Sequence, residues 1–373
     1  MTIVQRALTA AAVAALVASP PQASAQSTPG ANLAPVWNAK SAAEYLDARM
    51  TWWTTWKTSA RDHDTFCISC HTALPYALSR PSLHSALGET GLSPVEQKVV
   101  DNVGKRVQLW NEVEPFYKDN LKDTLKSRES RGTESIINAV ILTSYAATND
   151  SYRATATLAL DNMWALQLKS GPARGGWDWL QFHNAPWEGD SQYFGVTLAA
   201  LAVGNAPALY RSTPAIQDGL KGMRDYLTRE RDSQVLMNRM MLVWASTKLP
   251  GLLTPAEQKT ITREALGKQQ ADGGYSASAF FGGWTRRDST ALETVSDGYA
   301  TGLVTFTLLQ AGMKASDPQV KRSLDWLASH QDATEGRWLA YSLNKKRDLA
   351  TDIGKFMSDA ATAYAVMALK RAQ

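Results

Sequence analysis

Apolar side chains recur along much of the chain at the spacing of an α-helix. Between Ile136 and Tyr145 they fall at positions i, i+1, i+4, i+5 and i+9, which places them on one helical face. Helix starts are marked as well, because Ser93-Pro94 and Thr254-Pro255 each set a capping hydroxyl before a proline, with a glutamate in the first turn. Strand patterns are nearly absent. The sequence therefore predicts an all-α fold.

The helical patterns come in pairs that resemble one another. Each copy has a helix ending at a glutamine, a glycine-aromatic loop, an acidic residue, and a second helix rich in Ala, Leu and Val. The clearest copies begin with LALDNMWALQ, ITREALGKQQADGGY and VKRSLDWLASHQ, and their second helices are GDSQYFGVTLAALA, SDGYATGLVTFTLL and SDAATAYAVMALK. Less regular pairs lie at residues 94–148 and 215–249. Such repeats predict a fold in which neighbouring pairs bury each other's apolar faces.

The glutamine, glycine and aromatic spacing from Gln167 to Trp177, and from Gln270 to Tyr275, is similar to the QW-type repeats of squalene-hopene cyclases and protein prenyltransferases. The resemblance covers roughly residues 94–373. It implies an α/α toroid, a double ring of helical hairpins around a central cavity, and an apolar or isoprenoid-like ligand. The catalytic motifs of that superfamily are missing, since the repeats hold no Asp-x-Asp-Asp acid and no cysteine follows Cys70. The resemblance therefore predicts shape rather than chemistry.

The N-terminus has the pattern of a secretory signal peptide at residues 1–25. Arg6 precedes a weakly apolar run from Ala7 to Ala18, and Ala23-Ser24-Ala25 provides small residues for cleavage. The run is shorter than the about 20 residues that span a bilayer. The formal net charge of +4 is small and its basic residues are scattered, so we expect no nucleic-acid partner. We expect a periplasmic or secreted protein without an integral membrane span, with an N-terminal segment at residues 26–93 and a repeat domain at residues 94–373.

Both cysteines of the chain lie in the stretch Cys67-Ile68-Ser69-Cys70-His71. This C-x-x-C-H pattern is typical of c-type haem attachment, in which two thiols bond the haem edge and the adjacent histidine ligates the iron. It predicts covalent haem c on Cys67 and Cys70, with His71 as the proximal iron ligand and His63 or His84 as the sixth. A disulfide, a redox dithiol or another metal site are the alternatives.

Acidic residues in the loops between paired helices are candidates for acid catalysis. In an α/α toroid these loops gather at one end, so Asp178, Glu188 and Asp297 are expected near the cavity mouth, where convergent carboxylates share protons. The alternative is structural: Asp190, Asp297 and Asp359 stand where a second helix begins, and a carboxylate there caps free backbone N–H groups.

Taken together, these patterns predict an exported c-type haem protein whose toroid cavity binds an apolar or isoprenoid-like molecule. The haem makes a redox enzyme and a periplasmic electron-transfer partner conceivable. Two alternatives stay open at this point. One is a terpenoid cyclase-like enzyme that lacks haem, and the other is a binding module without catalysis; in both the cysteines form a disulfide.

Overall fold

The computed structural model describes residues 36–119, 125–189 and 192–373. The predicted signal peptide and Asp190 lie outside the described residues. The described α-helices are α1 (Ala39–Thr55), α2 (Ala73–Ser79), α3 (His84–Leu87), α4 (Pro94–Gln108), α5 (Lys126–Ala146), α6 (Arg153–Ala165), α7 (Tyr193–Asn205), α8 (Ala208–Arg211), α9 (Pro214–Glu230), α10 (Leu236–Lys248), α11 (Pro255–Leu266), α12 (Ala277–Phe280), α13 (Gly298–Gln310), α14 (Pro318–Ser329) and α15 (Phe356–Arg371). Two short antiparallel strands, β1 (Ala60–Arg61) and β2 (Thr65–Phe66), pair within the loop between α1 and α2.

Helices that are buried along most of their length form a closed inner ring. In chain order, α5 packs against α7, α7 against α10, α10 against α13, α13 against α15, α15 against α2, and α2 against α5. In α13 every residue from Gly298 to Leu309 is buried, as is every residue of α15 from Met357 to Leu369. A helix buried on all sides must be surrounded by other helices, and the ring provides those neighbours.

An outer helix precedes each inner one along the chain. The outer helices α1, α4, α6, α9, α11 and α14 bury mainly one face; in α9 the buried positions include Ile216, Leu220, Met223 and Leu227, which follow the helical period. The predicted all-α toroid of helical hairpins is therefore confirmed. The structure also places α1 and α2, which precede the repeats recognised in the sequence, in the same double ring.

Glutamines that follow the outer helices α6, α11 and α14 join each of these helices to the next outer helix. The Gln167 amide donates to the carbonyl oxygen of Gly219 in α9 (2.8 Å), and the Gln269 amide to that of Gln319 in α14 (2.7 Å). Gln331 closes the circle, because its amide donates to Asn38 O at the start of α1 (2.9 Å) and its oxygen accepts from Asn38 N (2.6 Å). Glutamines thus join three pairs of neighbouring outer helices, and in the second case the linking residue is Gln269 rather than the Gln270 of the predicted spacing.

Tryptophans of the repeat loops anchor each loop on the helix before it. Trp177 donates its indole N–H to Met163 O in α6 (2.6 Å), and Trp338 donates to Leu327 O in α14 (2.7 Å). Both rings are fully buried.

Within the described residues, every helix is too short or too polar to cross a membrane.

Candidate functional site

Loops that lead from an outer helix to the following inner helix enclose two cavities. The first, here called the Glu188 cavity, has a volume of about 290 Å³ and takes residues from several of these loops, among them His71, Tyr117, Glu188, Arg287 and Lys345. The second, here called the aromatic–amide cleft, has a volume of about 780 Å³. Ala185 lines both. The expectation that these loops meet at one end of the toroid holds for the described residues.

Glu188 lies half-buried in its cavity, in the loop between α6 and α7. A bridge to Asn184 fixes the loop: Asn184 N donates to Glu188 O (2.8 Å), and the Asn184 side-chain amide donates to the Glu188 carboxylate (3.2 Å). Enclosure by protein raises the pKa of Glu188 to about 7, although Asn184 and the charges of Lys126 and Arg287 act in the opposite direction. Near neutral pH this carboxyl group is therefore partly protonated.

Basic side chains surround the same cavity. Arg287 comes from the loop between α12 and α13, and Lys345 and Arg347 come from the loop between α14 and α15. The Arg287 guanidinium donates to Phe182 O, and Arg347 lies 3.5 Å from the Asn344 side-chain oxygen. Among the described residues, none of the three cations is paired with a carboxylate. The cavity therefore favours an anionic ligand.

His71 lines this cavity with one ring nitrogen already engaged. Its Nδ1 lies 2.8 Å from the Thr72 hydroxyl, which donates its single proton to the Asp359 carboxylate (2.7 Å). Because that proton is used, His71 Nδ1 must be the donor, and Nε2 carries the lone pair. Burial, together with Arg49 and Arg347, lowers the pKa of His71 to about 3. The imidazole is therefore neutral and a weak base, and among the described residues no hydrogen bond occupies the Nε2 lone pair.

Asp359 holds this arrangement in place. It lies in the first turn of α15, whose N-cap is Lys355, and it is buried. Its carboxylate accepts from Arg49 Nε (2.7 Å) and from the Tyr45 hydroxyl (2.8 Å), both on α1. The structure therefore does not place Asp359 as a helix cap; instead it links α1, α15 and the loop of His71.

The two cysteines lie beside His71, deep in the protein. Cys67 and Cys70 are 5% and 6% exposed and are free thiols. Burial raises the pKa of Cys67 to about 12, so the thiol stays protonated. Trp53 fixes the segment by donating its indole N–H to Cys67 O (2.6 Å).

The two histidines predicted as the sixth iron ligand, His63 and His84, lie outside the Glu188 cavity that His71 lines. His63 is exposed, with φ of 54°, and its Nδ1 is 3.0 Å from Asp62. His84 contacts the buried Glu96 (2.8 Å), whose carboxylate also lies 3.7 Å from Arg80. Neither histidine lines the Glu188 cavity, whereas Met357 does.

The other predicted catalytic carboxylates are engaged in local structure. Asp178 pairs with Arg128 (2.7 Å) and lines neither cavity. Asp297 is the N-cap of α13: it accepts from Ala300 N (2.9 Å) and from Ala277 N in α12 (2.5 Å). Burial raises the pKa of Asp297 to about 6. The structure brings Glu188 and His71 to one cavity and leaves Asp178 and Asp297 out of it.

Sequence reasoning missed several residues of the site. The run Asn344-Lys345-Lys346-Arg347 was a visible charge cluster in a repeat loop, and two of its cations line the cavity. Thr72 and Met357 gave no signal, because a threonine after a histidine and a methionine in an apolar helix are common.

Comparisons with known proteins agree with the fold. No family model and no curated protein sequence matches the chain. Among solved structures, the unsaturated glucuronyl hydrolase from Bacillus sp. GL1 is 11% identical, with 89% of this chain and 95% of that one covered and a TM-score of 0.53. An α-1,6-mannanase from Salegentibacter sp. HEL1_6 is 12% identical, with 90% and 99% covered and a TM-score of 0.49. At these identities the likeness shows the fold class, the α/α toroid.

The likeness to the glucuronyl hydrolase corrects the ligand and function expected from the cyclase resemblance. The solved structure that matches with a TM-score of 0.53 is an unsaturated glucuronyl hydrolase, described as responsible for the degradation of glycosaminoglycan, rather than a squalene cyclase or a haem protein. The predicted haem redox function, the apolar or isoprenoid-like ligand and the electron-transfer partner are therefore wrong. The lining of the Glu188 cavity gives a physical reason for this correction, because cations and amides stand among its apolar side chains and would lose their hydration without a polar partner on an isoprenoid ligand.

Proposed function

We propose that this protein hydrolyses a glycosidic bond next to an acidic sugar, with Glu188 as the general acid. One observation carries the proposal: a carboxyl group and three cations line one cavity at the loop end of the toroid, and among the described residues Arg287, Lys345 and Arg347 have no carboxylate partner. A volume of about 290 Å³ lies just below the ~300–1,000 Å³ of drug-sized ligand pockets and suits a single sugar unit.

The cations select the substrate. A uronic acid carries one carboxylate on its ring, and a planar guanidinium such as that of Arg287 or Arg347 binds a carboxylate through two parallel hydrogen bonds. Lys345 adds a third positive charge. The hydroxyl groups of the sugar find partners in Asn184 and Asn344, while Trp187 provides an apolar surface for its C–H face.

Glu188 supplies the chemistry. A glycosidase needs one carboxylic acid that is still protonated at the working pH. This acid protonates the glycosidic oxygen, which then leaves the anomeric carbon with the departing group. The raised pKa of Glu188 meets this requirement. After the transfer, the new carboxylate is stabilised by Arg287 and Lys126. Water then adds its hydroxyl group to the anomeric carbon, and the remaining proton of that water returns Glu188 to its acid form. The Bacillus hydrolase of the same fold, described as responsible for glycosaminoglycan degradation, supports this substrate class.

The test is hydrolysis of acidic oligosaccharides prepared from hyaluronan, chondroitin and polygalacturonate, followed by reducing-end release. Glu188→Gln is expected to lower kcat by roughly 100- to 10,000-fold, the usual contribution of a general acid. Arg287→Gln is expected to raise KM for acidic substrates. Glu264→Gln, which removes an exposed carboxylate paired with Arg239, is the control and should match the parent protein. Full activity of Glu188→Gln, or no turnover of any acidic substrate, would contradict the proposal.

We propose separately that haem c is the cofactor bound at Cys67, Cys70 and His71. The donor types are those of haem c, because the thiols adjoin His71 and Thr72 leaves the Nε2 lone pair of His71 for iron. The buried thiols do not line the cavity, so haem attachment would have to displace the segment that covers them. When bound, haem would supply an iron centre at the cavity. Because His71 lines the Glu188 cavity, haem and an acidic sugar would compete for that space.

Production of the chain with and without a cytochrome c maturation system separates these two claims. A haem-sized mass increase that is lost in Cys67→Ala and Cys70→Ala would establish the cofactor. A colourless protein with the mass of the polypeptide alone would refute it. Hydrolysis measured on both preparations shows which form is the enzyme.

Export to the periplasm remains a prediction, tested by the N-terminal residue of the mature protein.

A further inference from the structure

The aromatic–amide cleft differs from the Glu188 cavity in its chemistry. Aromatic rings of Phe194, Tyr226, Phe281 and Trp284 line it, together with the amides of Gln192 and Asn238. Its volume of about 780 Å³ is within the ~300–1,000 Å³ range of ligand sites. Rings and amides in one concave surface are what a hydroxyl-rich ligand with apolar faces requires.

Charge separates the two compartments. The described residues that line the cleft include one carboxylate, Glu230, and no lysine or arginine. Glu230 is already paired with Arg229 (2.8 Å). An anionic ligand therefore has no cation to bind there, in contrast to the cavity around Arg287. The cleft favours a neutral ligand.

Asn238 gives a specific, independent indication of a ligand. It lies on α10, is 6% exposed, and lines the cleft. Its amide N–H donates to the Gln234 side-chain oxygen (3.0 Å), and among the described residues its own oxygen has no hydrogen-bond partner. A buried acceptor without a donor is costly, and a hydroxyl group of a bound ligand would supply that donor.

Trp284 is held firmly enough to serve as a binding surface. Its indole N–H donates to Leu343 O (2.8 Å), and its ring stacks on His183 with centroids 4.2 Å apart. The ring is therefore fixed before any ligand arrives, so little conformational entropy is lost on binding.

We propose that the aromatic–amide cleft is a binding site for a neutral saccharide. Its occupant uses hydroxyl groups on Asn238 and Gln192 and an apolar ring face on Trp284. Because Ala185 lines both compartments, the cleft accommodates neutral units of the same chain whose acidic sugar enters the Glu188 cavity. In that last respect only, the inference rests on the proposed function.

The experiment measures binding of two neutral probes, maltotetraose and mannotetraose, to the full-length protein by calorimetry. Asn238→Ala is expected to weaken binding by roughly 3- to 10-fold, the value of one hydrogen bond. Trp284→Phe is a second variant that retains an aromatic ring and loses contact area. Two matched controls lie outside the cleft: Asn138→Ala at another buried amide, and Trp326→Phe at a tryptophan that likewise stacks on a histidine, His330. Thermal unfolding confirms that each variant is folded.

Binding of a neutral probe that weakens in the cleft variants and not in the controls supports the site. No binding of either probe, or binding that neither cleft variant changes, overturns it. Hydrolysis of acidic oligosaccharides, measured in parallel with Glu188→Gln, decides the proposed function separately. Loss of neutral binding in the cleft variants with unchanged turnover of an acidic disaccharide would show two independent compartments.

Discussion

At the scale of single residues, Glu188 links catalysis to stability. Its ordinary pKa of 4.5 rises to about 7 in the folded protein, chiefly through burial. Between these two values the folded state binds a proton that the unfolded state lacks. By linkage, the free energy of unfolding must then fall as pH rises through this window, and the contribution is fully present only below the ordinary pKa.

The prediction compares Glu188→Gln with the parent protein in thermal unfolding at several pH values. Because glutamine does not titrate, the stability of the variant relative to the parent should increase from about pH 5 to about pH 7 and then level off. Glu264→Gln is the control. Arg239 lowers the pKa of Glu264, so the difference in stability between this variant and the parent protein should stay constant above about pH 5. A constant difference for Glu188→Gln would mean that this carboxyl group is ionised throughout.

The same carboxyl group also illustrates what residue-level reasoning on a sequence provides. Glu188 was a candidate because it lies in a repeat loop, and so were Asp178 and Asp297. The sequence does not distinguish them, since a carboxylate before a helix caps it or faces a cavity depending on backbone geometry. Asp297 faces Ala300 N and Ala277 N, whereas Glu188 faces Arg287 from a distant loop.

At the scale of elements, the contact between the loop after α14 and helix α1 closes the outer ring. Gly336 lies in that loop with φ of 76°, and a Cβ there would overlap the carbonyl group of Ser41 in α1. Gly312 has φ of 95° and open space around the same position. The two glycines thus share a left-handed backbone and differ in their neighbours.

Alanine at each glycine separates backbone strain from ring closure. Gly312→Ala should lower the free energy of unfolding by roughly 1–2 kcal/mol, the cost of the left-handed conformation. Gly336→Ala should cost roughly 1–3 kcal/mol more, because α1 must also move. Urea unfolding followed by circular dichroism measures both. Equal losses would show that the contact with Ser41 contributes little to stability.

The sequence predicts some helical pairs of the ring and not others. The pairs from α4 to α15 repeat a common pattern, and the outer helices α4 and α11 begin with a capping hydroxyl before proline, so the sequence predicts both the existence and the order of these pairs. The pair of α1 and α2 was not placed in the ring, because α2 is short, contains Pro75, and is preceded by the cysteine segment instead of a glycine-aromatic loop. Its membership depends on contacts with α15 and α5, which lie far away in the chain.

At the scale of the whole molecule, a closed ring makes every pair a neighbour of two others. Helix α2 lies between α15 and α5, and α1 supplies Arg49 and Tyr45 to the buried Asp359. Without α1 and α2, apolar faces of two inner helices would contact water, and a carboxylate would lose its cation. Breaking a buried ion pair from one side costs about 3–5 kcal/mol, a large part of the roughly 5–15 kcal/mol that stabilises a domain.

We therefore predict that a chain of residues 94–373 does not fold cooperatively, whereas a chain of residues 36–373 does. Urea unfolding should show a broad transition with a low m-value for the shorter chain, because it exposes less surface on unfolding, and the shorter chain should bind a hydrophobic dye before unfolding. The longer chain, which keeps α1 and α2, is the matched control. A sharp transition and native helix content in residues 94–373 would contradict this prediction. That result would instead support the domain boundary that the sequence pattern suggested after residue 93, with α1 and α2 as a separable segment.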